Sequence, residues 1–198
     1  MTDSKVALRR SLLKSRRALD PATRRQATQR VITRALRLPQ IKPGARIAVY
    51  APFGSELDPT AVVRAARRRG IRVYVPVVMH LARRRMRFVP WSKAIRPGIE
   101  RTPGELFRLP WIATRWLDLI LCPVVGIDAR GYRLGMGAGF FDRALTYRRH
   151  QQHWRGPRLI ALAFEMQRIP TVGPQSFDAK LDGVITERGL HLFAQEAP

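Results

Sequence analysis

One cysteine in 198 residues leaves no disulfide framework and no cysteine metal cluster, and Cys122 sits inside the apolar run LDLILCPVV. No apolar run approaches the roughly 18 residues that would span a bilayer. The first twenty residues are charged and lack the apolar core and small-residue cleavage site of a secretory signal, so the chain is expected to be cytoplasmic and free of membrane. Acidic residues are scarce as well: 14 Asp and Glu face 37 Lys and Arg, a net charge of +23. Yet 45% of the residues are apolar and Gly and Pro number only 14 and 15, which excludes a disordered or fibrous chain. Such a length buries one sizeable core. No linker divides it, so one α/β domain over 1–198 is expected, with 1–38 a helical segment packed on it.

The charge would draw nucleic acid, anionic lipid or a polyanionic small molecule. Its arginines are spread as doublets and triplets (Arg9–Arg10, Arg24–Arg25, Arg67–Arg69, Arg83–Arg85, Arg148–Arg149) and not gathered in one arm. No RNP1-like strand, zinc finger or heptad-linked basic helix accompanies them. A solvated basic shell is the simpler reading, and nucleic-acid binding stays open as its rival.

Along the chain, Val6, Leu8, Leu12, Leu13 and Leu19 recur at roughly helical spacing. Asp20-Pro21 then supplies a cap and a first-turn proline for a second helix, whose apolar face is Val31, Ile32, Ala35 and Leu36. From Arg46 the pattern becomes β-rich. RIAVYAP, a helix opened by Asp58-Pro59 and ended at Gly70, and IRVYVPVV form a β-α-β unit, hence a parallel strand pair under a right-handed crossover. MRFVPW (86–91) reads as a further strand and 92–116 as an irregular excursion. LDLILCPVV (117–125), apolar on both faces, reads as the central buried strand. A helix over FFDRALTYRRHQQ, a strand at RLIALAF (158–164) and short strands at GVIT and LHLF complete a three-layer αβα architecture around a mostly parallel sheet, with N-terminal helices.

The stretch GYRLGMGAGFFDR (131–143) carries the chemistry. Glycines without Cβ let main-chain N–H groups approach an anion, and the following helix N-terminus adds partial positive charge. Arg133 and Arg143 can give charge-assisted hydrogen bonds to phosphate or carboxylate oxygens. Asp142 beside an anion calls for a cation between them, and Mg²⁺, held by one or two carboxylates plus phosphate oxygens, is the usual bridge. A Walker A loop is excluded because the Gly-Lys-Ser/Thr ending is missing. The dinucleotide pattern is excluded because Phe140 stands where its third glycine belongs. Glu56, in the loop FGSEL after a strand end, is a second candidate, and Lys5 with Arg9, four apart on one helix face, a third. His150 and His153 lack a third ligand and read as solvated or packing residues.

Taken in order, these pieces resemble the 5-formyltetrahydrofolate cyclo-ligase (5,10-methenyltetrahydrofolate synthetase) family over nearly the whole chain. The resemblance rests on K5-VAL-R9, IAVYAPFGSEL, MRF, the module from DLILCP through GYRLGMGAGFFDR (118–143), and Asp178 in SFDAKLDGVITE. It implies ATP- and Mg²⁺-dependent closure of 5-formyltetrahydrofolate to 5,10-methenyltetrahydrofolate, with release of ADP and phosphate, through a phosphorylated N5-formyl intermediate. ATP would lie against Lys5, Val6, Ala7, Leu8 and Arg9 and against Arg133, Leu134, Gly135, Met136, Gly137, Ala138, Gly139, Phe140 and Phe141. Arg133 would be catalytic, and Asp142 and Asp178 would hold Mg²⁺. Folate would be lined by Arg9, Ala51, Glu56, Met136, Gly137, Ala138, Gly139 and Phe140, with Glu56 accepting pterin N–H donors. The implied partner is a folate, polyglutamylated or not, and the implied state is a monomer.

Two features depart from the family pattern. Phe140-Phe141 stands where Tyr-Tyr is usual, which keeps stacking and removes two hydroxyls, and Met136 and Ala138 bring less charge to the phosphates. A paralogue phosphorylating another formyl or amide group on the same scaffold is therefore a third reading.

Overall fold

The computed structural model describes residues 2–80, 85–92, 108–137, 139–145, 156–175 and 178–194. Ala138, His150, His153, Trp154, the middle of the 92–116 excursion and the expected helix beyond Leu145 lie outside the described residues.

Two helices open the chain, α1 (Thr2–Ala18) and α2 (Pro21–Ala35). The break between them is the expected cap: Asp20 Oδ1 accepts from the amides of Ala22 at 2.9 Å and Thr23 at 3.0 Å, with Pro21 in the first turn. Strand β1 (Arg46–Val49), helix α3 (Thr60–Arg68) and β2 (Arg72–His80) then form the β-α-β unit, with β1 and β2 parallel. Asp58 Oδ1 accepts from the Thr60 amide at 2.8 Å and so fixes the start of α3. Next come β3 (Arg85–Pro90), a 3-10 turn (Thr114–Trp116) and β4 (Leu119–Pro123). The chain continues through β5 (Gly126–Asp128), β6 (Arg133–Leu134) and the short α4 (Phe140–Ala144). It ends with β7 (Arg158–Leu162), β8 (Arg168–Ile169), β9 (Gly183–Ile185) and β10 (Leu190–Leu192).

Seven strands make the main sheet, in the order β10-β9-β7-β4-β1-β2-β3. The five inner strands run parallel, and β10 and β3 close the edges antiparallel. The apolar run at 117–125 does supply the central strand, trimmed to Leu119–Pro123, and Leu119, Ile120, Leu121 and Cys122 are buried. One face of the sheet is covered by α2 and α3 through Val31, Ile32, Ala35, Val62, Val63 and Ala66. On the other face Leu145, Leu117 and Leu181 pack on Ile120, Leu159 and Val184. Each fully buried Leu or Ile contributes roughly 1.5–3 kcal/mol relative to exposure. Among the described residues no helix is long and apolar enough to cross a membrane.

The sequence reading has no counterpart for the second sheet, β6-β5-β8. Its strands are two or three residues long, too short for an alternating pattern to show. A tight turn joins β5 to β6: Asp128 Oδ1 accepts from the amides of Arg130 and Tyr132, both at 3.0 Å. Gly131 takes φ +92° there, and a Cβ would stand 2.7 Å from the Phe193 ring. Helix α1 lies on this small sheet, where Leu12 packs with Val125, Leu134 and Val172. The absent Cβ of Gly126 makes room, since one would meet Leu12 Cδ1 at 2.8 Å.

Candidate active site

A cleft of about 620 Å³ opens beyond the carboxyl ends of β1 and β4, walled by α1, β6, α4 and the segment ending at Asp178. Open α/β sheets place ligands there. The size suits a ligand larger than a single phosphate.

At one end cations and carboxylates face each other. Arg133, on β6 with its side chain 5% exposed, donates from Nη2 to Asp142 Oδ1 at 2.6 Å. The same oxygen accepts from the Ala179 amide at 3.3 Å, and the Arg133 guanidinium lies 5.5 Å from the centre of the Phe141 ring. Lys5 Nζ stands 3.7 Å from Asp178 Oδ2, which also accepts from the Gln175 amide at 2.9 Å. Arg9 donates from Nε to the carbonyl of Gly135 at 2.8 Å, across 126 residues of sequence. Its guanidinium then covers Gly137, whose φ of +101° leaves little place for a side chain. Gly139, also left-handed at φ +68°, caps α4.

The other end is the loop after β1. Glu56 Oε2 accepts from the Phe53 amide at 3.0 Å and the Glu56 amide donates to the Phe53 carbonyl at 3.2 Å, closing a tight turn. Burial pushes the Glu56 carboxyl up from its ordinary value, against the Phe53 hydrogen bond and the Arg16 charge. Tyr50, buried beneath, donates its hydroxyl to the Leu57 carbonyl at 2.6 Å. Burial, reinforced by the Glu56 charge, holds that hydroxyl well above the usual range, so it stays protonated. Arg16, 4% exposed, supports the loop from behind: Nε donates to Ser55 Oγ at 3.0 Å and Nη1 to the Val124 carbonyl at 3.2 Å. Arg24 donates from Nη1 to the Ser55 carbonyl at 2.7 Å and from Nη2 to the Arg16 carbonyl.

Most of the expected residues meet in this one cleft. Lys5, Val6, Arg9, Ala51, Glu56, Arg133, Leu134, Gly135, Met136, Gly137, Gly139, Phe140, Phe141, Asp142 and Asp178 all line it. Ala7 and Leu8 do not. Helical rotation turns Ala7 to solvent and packs Leu8 against Leu12 and its neighbours. Sequence reasoning did not single out Tyr50, Phe53 and Gln175 in the lining, nor Arg16 and Arg24 behind it. One signal for Arg16 was available: Lys5, Arg9, Leu12 and Arg16 are spaced 4, 3 and 4 apart, one stripe of a helix.

Of the three carboxylates that line the cleft, Asp142 and Asp178 are the two on the side of the glycine segment, apart from Glu56 in the loop after β1. Among the described residues no group of three His, Cys, Asp or Glu could hold a metal ion. Two carboxylates do fit Mg²⁺, which keeps several waters and completes its shell with phosphate oxygens.

Comparison with known proteins decides the family. Residues 1–187 match the sequence model of the 5-formyltetrahydrofolate cyclo-ligase family. The chain belongs to that family. It is an enzyme of the cyclo-ligase kind, as the resemblance implied. The 5-formyltetrahydrofolate cyclo-ligase of Mycolicibacterium smegmatis is 30% identical over 197 residues, covering 94% of this chain and 96% of the relative. That of Escherichia coli K12 is 29% identical over 174 residues, covering 86% and 93%. In fold, the chain matches the 5,10-methenyltetrahydrofolate synthetase of Aquifex aeolicus with a TM-score of 0.77 at 23% identity, covering 98% and 95%. The synthetase of Mycoplasma pneumoniae matches with a TM-score of 0.73 at 24% identity, covering 92% and 98%.

Proposed function

We propose that this cyclo-ligase closes 5-formyltetrahydrofolate to 5,10-methenyltetrahydrofolate with ATP and Mg²⁺, releasing ADP and phosphate. The observation that carries this is the convergence of four distant stretches (Lys5 with Arg9, Glu56, 133–142 and Asp178) on one cleft with a cation-rich end and a carboxylate end. In the reaction the N5-formyl oxygen takes up the γ-phosphoryl group, which turns it into a leaving group. N10 then adds to the formyl carbon, and the carbon–oxygen bond breaks to release phosphate.

The protein's share is positioning and charge stabilisation. Lys5, Arg9 and Arg133 would bind the phosphate oxygens, and the amides of the 135–139 segment would approach them without side-chain obstruction. Asp142 and Asp178 would hold Mg²⁺, which when bound neutralises charge between phosphate oxygens. Each of these carboxylates now lies against a cation, Arg133 or Lys5. With both metal and nucleotide bound, Asp142 and Asp178 would face the metal, and Arg133 and Lys5 would be released to the phosphate oxygens. Glu56, at the far end, accepts the pterin N–H donors.

The test is absorbance near the methenyl-folate band after mixing the protein with 5-formyltetrahydrofolate, ATP and Mg²⁺, with Asp142→Ala alongside. Growth that requires both ATP and Mg²⁺ and fails in the variant is the expected result. A flat trace from folded wild-type protein would overturn the proposal. Release of inorganic phosphate with another formyl or amide substrate would then identify the paralogue. A polyglutamylated substrate whose KM falls at low salt relative to the monoglutamate would assign part of the charge to the folate tail.

A second reading, nucleic-acid binding, has one observation in its favour. Helices α2 and α3 contain no acidic residue and bury their apolar side chains, leaving Arg25, Arg30, Arg64, Arg67 and Arg68 exposed. Affinity for a 20-nucleotide strand that falls steeply with salt, and survives Asp142→Ala, would support it.

A further inference from the structure

We propose that Arg16 is a positioning residue for folate recognition, fixing from behind the loop that carries Glu56 and supplying the counter-charge this carboxylate lacks in direct contact. The inference rests on the folate reading of Glu56 given above.

Arg16 is a buried guanidinium, and among the described residues its hydrogen bonds go to a hydroxyl and a carbonyl, with no carboxylate within ion-pair distance. Placing a charge in that position is costly unless it acts on something nearby. What lies nearby is the 53–57 turn. Arg16 holds the Ser55 hydroxyl, and Arg24 holds the Ser55 carbonyl and, through its other nitrogen, the Arg16 carbonyl. Ser55 is thus gripped on both its polar groups, one residue before Glu56. The turn has little stiffness of its own, since Gly54 sits at φ +60° with open space around it.

The charge matters as well as the grip. Among the described residues Glu56 makes no ion pair, and its carboxylate accepts from the Phe53 amide. Burial drives its carboxyl toward the neutral acid, and the Phe53 hydrogen bond and, after it, the Arg16 charge oppose this. The other groups facing the turn are the Tyr50 hydroxyl, committed to the Leu57 carbonyl, and Asp58, committed to Thr60. Arg24 is committed to main-chain oxygens, and Lys5 and Arg9 stand across the cleft on Asp178 and Gly135. A protonated Glu56 would offer a donor where pterin N–H groups need an acceptor. Burial of Arg16 lowers its own pKa, while the Glu56 charge raises it, so the two groups sustain each other's ionised forms.

Arg16→Met, Arg16→Lys and Ser55→Ala, each checked for folding by thermal melting, separate charge from grip. Arg16→Met is expected to raise KM for 5-formyltetrahydrofolate roughly tenfold, the size of one charged hydrogen bond, while KM for ATP stays within about twofold. The acid limb of its kcat/KM profile moves to higher pH. Arg16→Lys restores the position of that limb and only part of the KM. Ser55→Ala raises the folate KM without moving the limb, and it serves where Arg16→Met fails to fold. Equal rises in both KM values, or an acid limb unmoved in folded Arg16→Met, would overturn the proposal. A direct readout is the pH titration of the Glu56 side-chain carboxyl by NMR, wild type against Arg16→Met. An upward shift is expected and none would sink the idea. Because this titration needs no turnover, a wild type inactive on folate would refute the folate reading and leave the Arg16–Glu56 coupling separately decided.

Discussion

The two ends of the cleft handle charge in opposite ways. Around 133–142 every cation of the proposed phosphate site rests on an oxygen it can exchange: Arg133 on Asp142, Lys5 on Asp178, Arg9 on the Gly135 carbonyl. In the 50–57 loop the carboxylate has no cation in contact among the described residues, and Arg16 lies buried behind the turn it holds. The first arrangement suits a ligand that brings its own charge, because opposed pairs can be traded for phosphate and metal at little net desolvation. The second suits a neutral heterocycle, because a carboxylate held by a distant charge keeps its lone pairs for N–H donors. Contact pairs make a site exchangeable, and a counter-charge at one remove makes it preorganised.

The largest expected effect breaks the exchangeable end. Asp142→Ala takes from the buried Arg133 its ion-pair partner and removes one of the two carboxylates proposed to hold Mg²⁺, so kcat/KM should fall at least about 100-fold. Steady-state assays over a Mg²⁺ titration check this, and a loss recovered by excess Mg²⁺ would argue for binding alone. At the preorganised end, Glu56→Gln should raise the folate KM roughly tenfold and leave the ATP KM unchanged. The same variant carries a stability signature. Burial lifts the Glu56 pKa above its unfolded value, so the folded chain holds that proton more tightly, and the resulting stability is lost as pH rises through the folded value. Glu56→Gln removes that loss: its Tm should exceed that of the wild type at neutral pH, with the gap closing toward pH 4.

Two glycines sharpen the contrast further. Gly137→Ala, at φ +101° beneath the Arg9 guanidinium, should raise the ATP KM several-fold at a cost of about 1–2 kcal/mol in stability. Gly131→Ala, against Phe193 and the Leu181 carbonyl, should cost about 1–3 kcal/mol by denaturant melting. Its KM values should not change, since Gly131 lies outside the cleft lining.

Much of this was legible in the sequence, for physical reasons that also explain what was missed. The inner strands were visible because burial on both faces demands continuous apolar runs, as at Leu119–Pro123. The helix starts were visible because orphan amides demand a cap, which Asp20 and Asp58 supply. The glycine segment was visible because few other functions need so bare a backbone. The small sheet left no such mark: Arg133–Leu134 and Arg168–Ile169 are held by pairing with β5 and not by pattern. Arg133 and Leu134, read in the sequence only as part of the glycine stretch, are thus strand, and the strand is what aims Arg133 inward. Arg16 escaped because, among 32 arginines, its place on the stripe of Lys5, Arg9 and Leu12 is a weak mark. Only the fold distinguishes those that are buried, Arg16 and Arg133 among the described residues.

Helix α1 is laid down first and used last. It contributes Lys5 and Arg9 to one end of the cleft and Arg16 to the other, yet its partners lie at Gly135, Asp178 and Ser55, up to 173 positions downstream. During synthesis this strongly cationic helix leaves the ribosome well before the small sheet on which its Leu12 packs. A chain interrupted before Asp178 carries the whole β1–β4 core and still lacks a wall of its cleft. Assembly of the proposed site is thereby deferred until the fold is nearly complete, and a product truncated before Asp178 is expected to lack activity.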